Sequence, residues 1–503
     1  LILLGGRLLG GGALDRRALV LLGLVGTLWG AAYAVTTPPF ESPDEITHLR
    51  YAQLIVDQHA LPQTTLGAPS APPDWGVAAA DTRAVVLPFA PWLRPPWSAA
   101  EDRSMDRRIA GQPRVRLTDS FDTASSQPPA YYGVVAAAQA ITRGSILDRL
   151  LIGRLVSALL FGFAITGIAA FVRAAVPSAG GAGVVGVAMV ACLPLTGFFA
   201  GSLNPDALMT ATAAWAFALT ATVLRRGLSW RRAIALGGVV GLGVLSKITF
   251  TALLPMFVVA ALVVLVRSFR ERRRTPVDAD VDPGPGVGRT ALMLAASAAV
   301  AVAIAAPYVL WAVLSGRGLV FGPPGGVAPA LGIRQTITYT VGLFLGEVGP
   351  IQERLARSGP IDILGDGLVG RLGWLDYGFP REPMLRILNA WELLAAAALF
   401  GIARSARARR AIPVDALVYA VGVAGLMLVI GRAGLSWTLL GLGEFEQARY
   451  LFPVAAVGAG GVALALRQVP AGRPRTWIAS GVLVAVCVHG VMGYLLTIGR
   501  YFA

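Results

Sequence analysis

The sequence predicts an all-α polytopic membrane protein, and three observations carry that prediction. The 503-residue chain is 55% hydrophobic and only 14% charged, with a mean hydropathy of +0.65, which is more apolar surface than a soluble domain can hide. Its apolar residues gather in runs of about 20, the length that crosses a bilayer core as a helix. Its arginines gather in short clusters between alternate runs, the pattern of cytoplasmic loops in membrane proteins.

The runs fall near 18–36, 150–172, 183–200, 206–224, 232–247, 249–266, 290–314, 385–403, 413–431, 448–466 and 476–497, roughly eleven spans. Ala32-Tyr33-Ala34 superficially matches a signal-peptidase site, but so many spans follow that the first run reads as a retained span. The run Tyr131–Ile141 is too short to cross and reads as a re-entrant or interfacial helix. Arg16, Arg17, Arg173, Arg225, Arg226, Arg231, Arg232 and the clusters at 267–274, 404–410 and 467–475 all fall on one side, which the positive-inside bias makes cytoplasmic.

Two large loops, 37–149 and 315–384, then face outward. They are expected to carry short amphipathic helices, one of them at 334–347. Trp75, Trp92 and Trp97 in the first loop suit rings at headgroup depth. Residues 268–289, rich in Arg, Asp, Pro and Gly, read as a flexible cytoplasmic linker. That divides the chain into an N-terminal transmembrane module, 1–267, and a C-terminal one, 290–503.

The net charge of +15 places the basic loops beside anionic lipid headgroups, and its distribution argues against nucleic acid as a partner. Cys192 and Cys487 lie inside apolar runs and read as small core residues. There is no Walker motif and no cytoplasmic domain large enough for a nucleotide site, so a substrate borne by a lipid is the simpler expectation.

The first outer loop opens on Pro38-Pro39-Phe40-Glu41-Ser42-Pro43-Asp44-Glu45-Ile46-Thr47-His48-Leu49-Arg50. Pro43 suits the first turn of a helix, with Asp44 and Glu45 in that turn and Asp44 and His48 sharing a face. This is either an acidic cap in a solvated loop or an active site. As a site, Asp44 or Glu45 serves as general base, or Asp44 and His48 hold a divalent ion, Mg or Mn, beside a phosphate. His48 otherwise orients the carboxylates. A zinc-protease reading lacks its second histidine, since only His59 is nearby and His489 sits in the last span.

Other candidates cluster at outer span ends. Asn204-Pro205-Asp206 is an ordinary helix start or, through Asp206, part of a substrate site. Lys247 defies the positive-inside bias: it either snorkels or meets a lipid-linked phosphate. Arg449 and Arg154 suit bidentate phosphate recognition, although Glu446, one turn before Arg449, offers a purely structural ion pair. Gln127 and Tyr131 either line a substrate entrance or merely end a loop. Asp376 beside Trp374 and Tyr377 reads as a sugar platform or as an interfacial aromatic belt.

A first span, then an outer loop with Asp44-Glu45 near its start, then Pro128-Pro129-Ala130-Tyr131-Tyr132 before the next spans, is similar to the GT-C glycosyltransferases, a superfamily that includes protein O-mannosyltransferases and the aminoarabinose transferases of lipid A. Pro43-Asp44-Glu45-Ile46-Thr47-His48, Asn204-Pro205-Asp206-Ala207-Leu208, Gly373-Trp374-Leu375-Asp376 and Gln447-Ala448-Arg449-Tyr450-Leu451 are more closely similar to a bacterial family of GT-C-like membrane proteins of unknown function, over about residues 20–465. The resemblance implies a transferase that uses a polyprenyl-phosphate sugar as donor and a cell-envelope glycan, lipid or protein as acceptor, at the outer face of the plasma membrane. It implies Asp44, with Glu45 beside it, as the acceptor-activating acid and Lys247 and Arg449 as holders of the lipid phosphate. A divalent metal serves some members and not others. The family commonly has His before the Pro-Pro pair where this chain has Gln127. The rival readings are a transporter or flippase for a lipid-linked or anionic substrate, and a non-enzymatic envelope scaffold.

Overall fold

A computed structural model of the chain describes residues 14–62, 98–100, 103–104, 107, 124, 126–142, 145–177, 179–274, 286–315, 331–345, 360–373, 375, 377–409, 414–440 and 446–502. Trp75, Trp92, Trp97, Trp374 and Asp376 lie outside the described residues.

Helix α1 (Arg16–Thr36) starts at Asp15, whose carboxylate accepts from the Ala18 amide at 2.7 Å and so satisfies one of the helix's orphan donors. A turn then leads to the short α2 (Glu45–Gln58). The Tyr131 run is indeed short, forming α3 (Ala130–Ala140). Ser145 and Asp148 make a reciprocal capping box for α4 (Ile146–Ala175).

The third predicted span is broken, into α5 (Gly181–Ala191) and α6 (Pro194–Ala200), bent by 59°. Pro194 opens the second half, where its missing N–H does no harm. Then come α7 (Asp206–Arg226), α8 (Trp230–Ser246), a 3-10 turn (Ile248–Leu253) and α9 (Leu254–Arg274). α10 (Val287–Leu314), α11 (Ile333–Leu345) and α12 (Pro360–Gly370) follow, with a two-residue antiparallel pair of β1 (Arg371–Leu372) and β2 (Tyr377–Gly378). The chain ends in α13 (Arg381–Arg409), α14 (Val414–Leu439), a second 3-10 stretch (Ala448–Val454), α15 (Ala455–Leu466) and α16 (Arg473–Phe502).

Among the described residues nine helical segments are long and apolar enough to cross a membrane, ten with the bent pair. α8, at 17 residues, occupies the remaining predicted span. The amphipathic stretch expected at 334–347 is α11, which buries Tyr339 and Leu343. The expected linker is shorter than its composition implies. α9 continues to Arg274 and α10 starts at Val287, because Arg and Glu are good helix formers once the chain has left the apolar layer.

One core runs through the molecule and joins residues from both sides of that linker, including Phe161, Phe171, Phe217, Met293, Val418 and Phe452. α1 and α4 approach closely along small residues. A Cβ on Gly162 would stand 1.8 Å from Thr27 Oγ1, so only glycine permits the approach.

The two ends of the bundle differ chemically. At one end Arg267 and Arg225 reach Asp415, at 2.9 and 3.8 Å. This places the C-terminal ends of α7 and α9 beside the N-terminal end of α14, as the alternation of arginines requires. Asp206 opens α7 at the other end, about 30 Å away along 21 residues.

Candidate functional site

At that opposite end four non-contiguous segments bring two carboxylates and two cations together. Arg449 donates from Nη2 to Asp44 Oδ2 at 2.7 Å, across 405 residues of sequence. Lys247 donates from Nζ to Asp206 Oδ1 at 2.5 Å. Arg449 Nε lies 3.8 Å from Asp206 Oδ2, which links the two pairs. The guanidinium also sits over the Phe199 ring at 5.0 Å and the Tyr450 ring at 5.5 Å, with Lys247 over Tyr450 at 5.4 Å, and both cations gain from the ring faces. Phe199 lines the site without any motif to mark it. Tyr450 stands inside the motif Gln447-Ala448-Arg449-Tyr450-Leu451, which assigns it no role.

Each charged side chain is delivered by a departure from regular helix. Lys247 takes extended backbone (φ −158°, ψ 138°) between α8 and the 3-10 turn. Arg449 stands in the second 3-10 stretch. Asp206 is the first residue of α7, its amide bonded to Asn204 Oδ1 at 2.9 Å, an Asx turn ahead of Pro205. Asp44 is left-handed (φ 63°, ψ 5°), a conformation that costs a non-glycine residue about 1 kcal/mol.

The sequence placed Pro43 and Asp44 inside the first turn of α2, but the helix begins at Glu45 and the Asp44 side chain makes no cap bond. A charge-assisted bond to a buried guanidinium outweighs a bond to a backbone amide. The local rule that pairs Arg449 with Glu446 also fails here. Glu446 precedes the 3-10 stretch and accepts from the Tyr339 hydroxyl at 2.5 Å.

The cluster is incompletely satisfied. Arg449 is 4% exposed, yet among the described residues its Nε and second Nη have no hydrogen-bond partner, and neither has Asp206 Oδ2. Asp44 alone is open, its side chain about a third exposed (34%). Burial pushes the Asp44 carboxyl up, but Arg449 and, less strongly, His48 and Lys247 pull it further down, so the balance leaves it below the usual carboxylate range. Asp44 is therefore ionised at neutral pH, beside cationic donors that still have capacity for an anion.

Glu45 faces away from this cluster. Its carboxylate takes Arg154 Nε at 2.7 Å and Nη2 at 2.6 Å, together with the amides of Phe40 and Leu203, each at 3.1 Å. Arg154 spends its remaining N–H groups on the carbonyls of Ala34, Thr37 and Pro38, at 3.1, 2.5 and 2.8 Å. All five guanidinium donors are used, several of them on the orphan carbonyls that end α1. The geometry gives Glu45 and Arg154 to anchoring the loop after α1 on α1 and α4, and leaves Arg154 no donor for a phosphate.

His48 is buried and pairs through Nδ1 with the Tyr132 hydroxyl at 2.9 Å, while Tyr132 stacks on Tyr51 with ring centroids 3.8 Å apart. Burial lowers the His48 pKa to about 3, so its ring is neutral. Tyr131 is fully buried and bonds Ser157 at 2.6 Å. The Gln127 carbonyl accepts from Tyr51 and Tyr308, at 3.2 and 3.4 Å, and its side-chain oxygen is buried without a partner among the described residues. His489 bonds the Val369 carbonyl at 2.6 Å, a packing role.

The donors do not suit a divalent ion. Asp44 is neutralised by Arg449, His48 Nδ1 is engaged, and Lys247 already shares the space. Among the described residues no group of three or more His, Cys, Asp or Glu is placed to hold a metal.

Residues 27–457 match the family described as "Predicted membrane protein (DUF2142)", a match that takes in all four sequence motifs quoted above. The chain belongs to this family. No curated protein matches it.

Among solved structures this DUF2142 protein is similar to ArnT from Cupriavidus metallidurans in the apo state, at 14% identity and a TM-score of 0.43, over 90% of this chain and 75% of that one. It is similar to ArnT bound to undecaprenyl phosphate at 14% and 0.42, over 74% and 66%. It is also similar to the archaeal oligosaccharyltransferase AglB from Archaeoglobus fulgidus, in complex with an inhibitory peptide and a dolichol-phosphate, at 13% and 0.43, over 95% and 56%. The chain thus spans just under two thirds of the lipid-bound ArnT chain and little more than half of AglB.

Proposed function

We propose that this protein is a membrane glycosyltransferase of the GT-C kind. It moves a sugar from a polyprenyl-phosphate donor to a cell-envelope glycan, lipid or protein acceptor, at the outer face of the plasma membrane. The observation that carries this reading is the cluster itself, a partly exposed ionised carboxylate beside two cations, one of them Arg449 with unspent donors among the described residues, at the end of the bundle opposite the arginine-rich one.

In the reaction Asp44 takes the proton of the acceptor hydroxyl as its oxygen forms a bond to the sugar's anomeric carbon. The bond from that carbon to the phosphate oxygen breaks, and its electron pair leaves with the polyprenyl phosphate. Lys247 and Arg449 hold the phosphate as negative charge grows on it. A positioned base contributes about 10²–10⁴-fold, and loss of one preorganised charge-stabilising donor costs about 10²–10³-fold. Asp206 fixes both cations. Asp44-Glu45 after the first span and Pro128-Pro129-Ala130-Tyr131-Tyr132 before the next spans, an order similar to GT-C enzymes, support the same reading.

The test is to supply the purified full chain in nanodiscs with radiolabelled polyprenyl-phosphate sugars and bacterial envelope acceptors. The expected result is a new glycoside together with free polyprenyl phosphate. The broken span α5–α6 favours one competing reading, a transporter, because discontinuous helices line many transport sites. Flux of the lipid-linked substrate across liposomes, with no glycoside formed, establishes that reading instead.

A further inference from the structure

We infer that in the resting protein the Asp44 carboxylate occupies the place of the donor phosphate on Arg449, and that donor binding exchanges one for the other. The base is thereby released only when the donor is seated. This inference rests on the transferase reading and specifies how its site is regulated.

Charge balance favours the exchange. Asp44 and Asp206 together cancel Lys247 and Arg449, so the resting cluster is neutral. A lipid-linked sugar joined through one phosphodiester brings one negative charge. If Asp44 stayed paired, that charge would stand uncompensated in a buried place, where unpaired charge is costly. Exchange for Asp44 restores neutrality.

Of the two carboxylates Asp44 is the one that can leave. Asp206 is 1% exposed, begins a helix and holds Lys247 at 2.5 Å. Asp44 is 34% exposed, lies in a non-helical turn with left-handed backbone, and among the described residues has a single side-chain hydrogen bond, the one to Arg449. The guanidinium has room for the phosphate, since its Nε and second Nη are buried without hydrogen-bond partners among the described residues. A carboxylate held at one nitrogen uses a fraction of a fork that a phosphate can take at two. Once Asp44 leaves Arg449 it also loses the main charge that weakens it as a base.

The experiment measures binding of farnesyl methyl phosphate, a singly charged lipid phosphodiester, to the purified full chain in detergent by calorimetry. Asp44→Asn removes the competing charge and keeps a residue that tolerates left-handed backbone, and it is expected to bind about tenfold tighter than the parent. Asp44→Gly suits the same backbone and should behave alike, which guards against a folding defect in either variant. In an Arg449→Ala background the gain from Asp44→Asn should vanish.

Equal or weaker binding by both Asp44 variants, an undiminished gain without Arg449, or no binding to any of these proteins overturns the exchange. If the parent transfers sugar while the Asp44 variants bind no tighter, only the exchange fails. If the Asp44 variants bind tighter but the parent transfers no sugar from any polyprenyl-phosphate donor, the transferase reading fails instead.

Discussion

Replacing Glu45 with glutamine separates anchoring from catalysis at two adjacent acids. In the native protein each Glu45 oxygen accepts two hydrogen bonds, one from Arg154 and one from a backbone amide. Glutamine removes the charge opposite a guanidinium that is 4% exposed. It also turns one acceptor into an NH2 group aimed at two N–H donors. Breaking a buried ion pair by removing one partner costs about 3–5 kcal/mol, and nothing nearby can supply the missing charge, because the other bonds of Arg154 go to neutral carbonyls. Equilibrium unfolding in mixed micelles, followed by tryptophan fluorescence, should show a loss of that size for Glu45→Gln. The double variant Glu45→Gln/Arg154→Gln should be less destabilised than the sum of the two single variants by about 1–3 kcal/mol. A Glu45→Gln protein as stable as the parent to within about 0.5 kcal/mol would refute the anchoring role. If that equally stable protein had also lost sugar transfer, Glu45 would return to the catalytic group.

Three further outcomes follow from the geometry. His48 has a folded pKa of about 3 against an ordinary 6.5, so as pH falls below about 6.5 the unfolded chain takes up a proton that the native one refuses. Stability should therefore decline between pH 6.5 and 3, and His48→Gln should flatten that part of a melting-temperature profile. A Cβ on Gly434 would lie 1.8 Å from Glu446 Oε1 and 3.1 Å from the Tyr339 hydroxyl, so Gly434→Ala should destabilise α14 against α11 by about 1–3 kcal/mol, read by the same unfolding assay. Arg449→Lys keeps the charge but loses the planar fork that faces Asp44, Asp206 and two rings. Its turnover should fall about 10²-fold, and parental turnover would remove Arg449 from the phosphate clamp.

The spans were legible because length and apolarity alone decide what fills a bilayer. The break at Pro194 was not, since the run 183–200 stays apolar throughout and a proline can open a helix as readily as bend one. Asp44, Asp206, Lys247 and Arg449 each stood out as a charge at an outer span end. Their pairing was illegible because no two of them share a helix. Nearest-neighbour rules misdirected twice. They offered Glu446 to Arg449, although the intervening backbone is not α-helical, and they put Asp44 in a helix turn that it precedes with left-handed backbone. The choice between Asp44 and Glu45 hung on Arg154, 109 residues further along the chain from Glu45. Such a partner leaves no periodic trace. Trp374 and Asp376, read as a sugar platform or an interfacial belt, fall outside the described residues.

The central claim is that Asp44 activates the acceptor at a cationic phosphate clamp. Its most direct test is single-turnover sugar transfer from a radiolabelled polyprenyl-phosphate donor, comparing the purified parent with Asp44→Asn at saturating donor. The expected rate is about 10²–10⁴-fold lower for Asp44→Asn, with donor binding retained. Equal rates in the two proteins would contradict it.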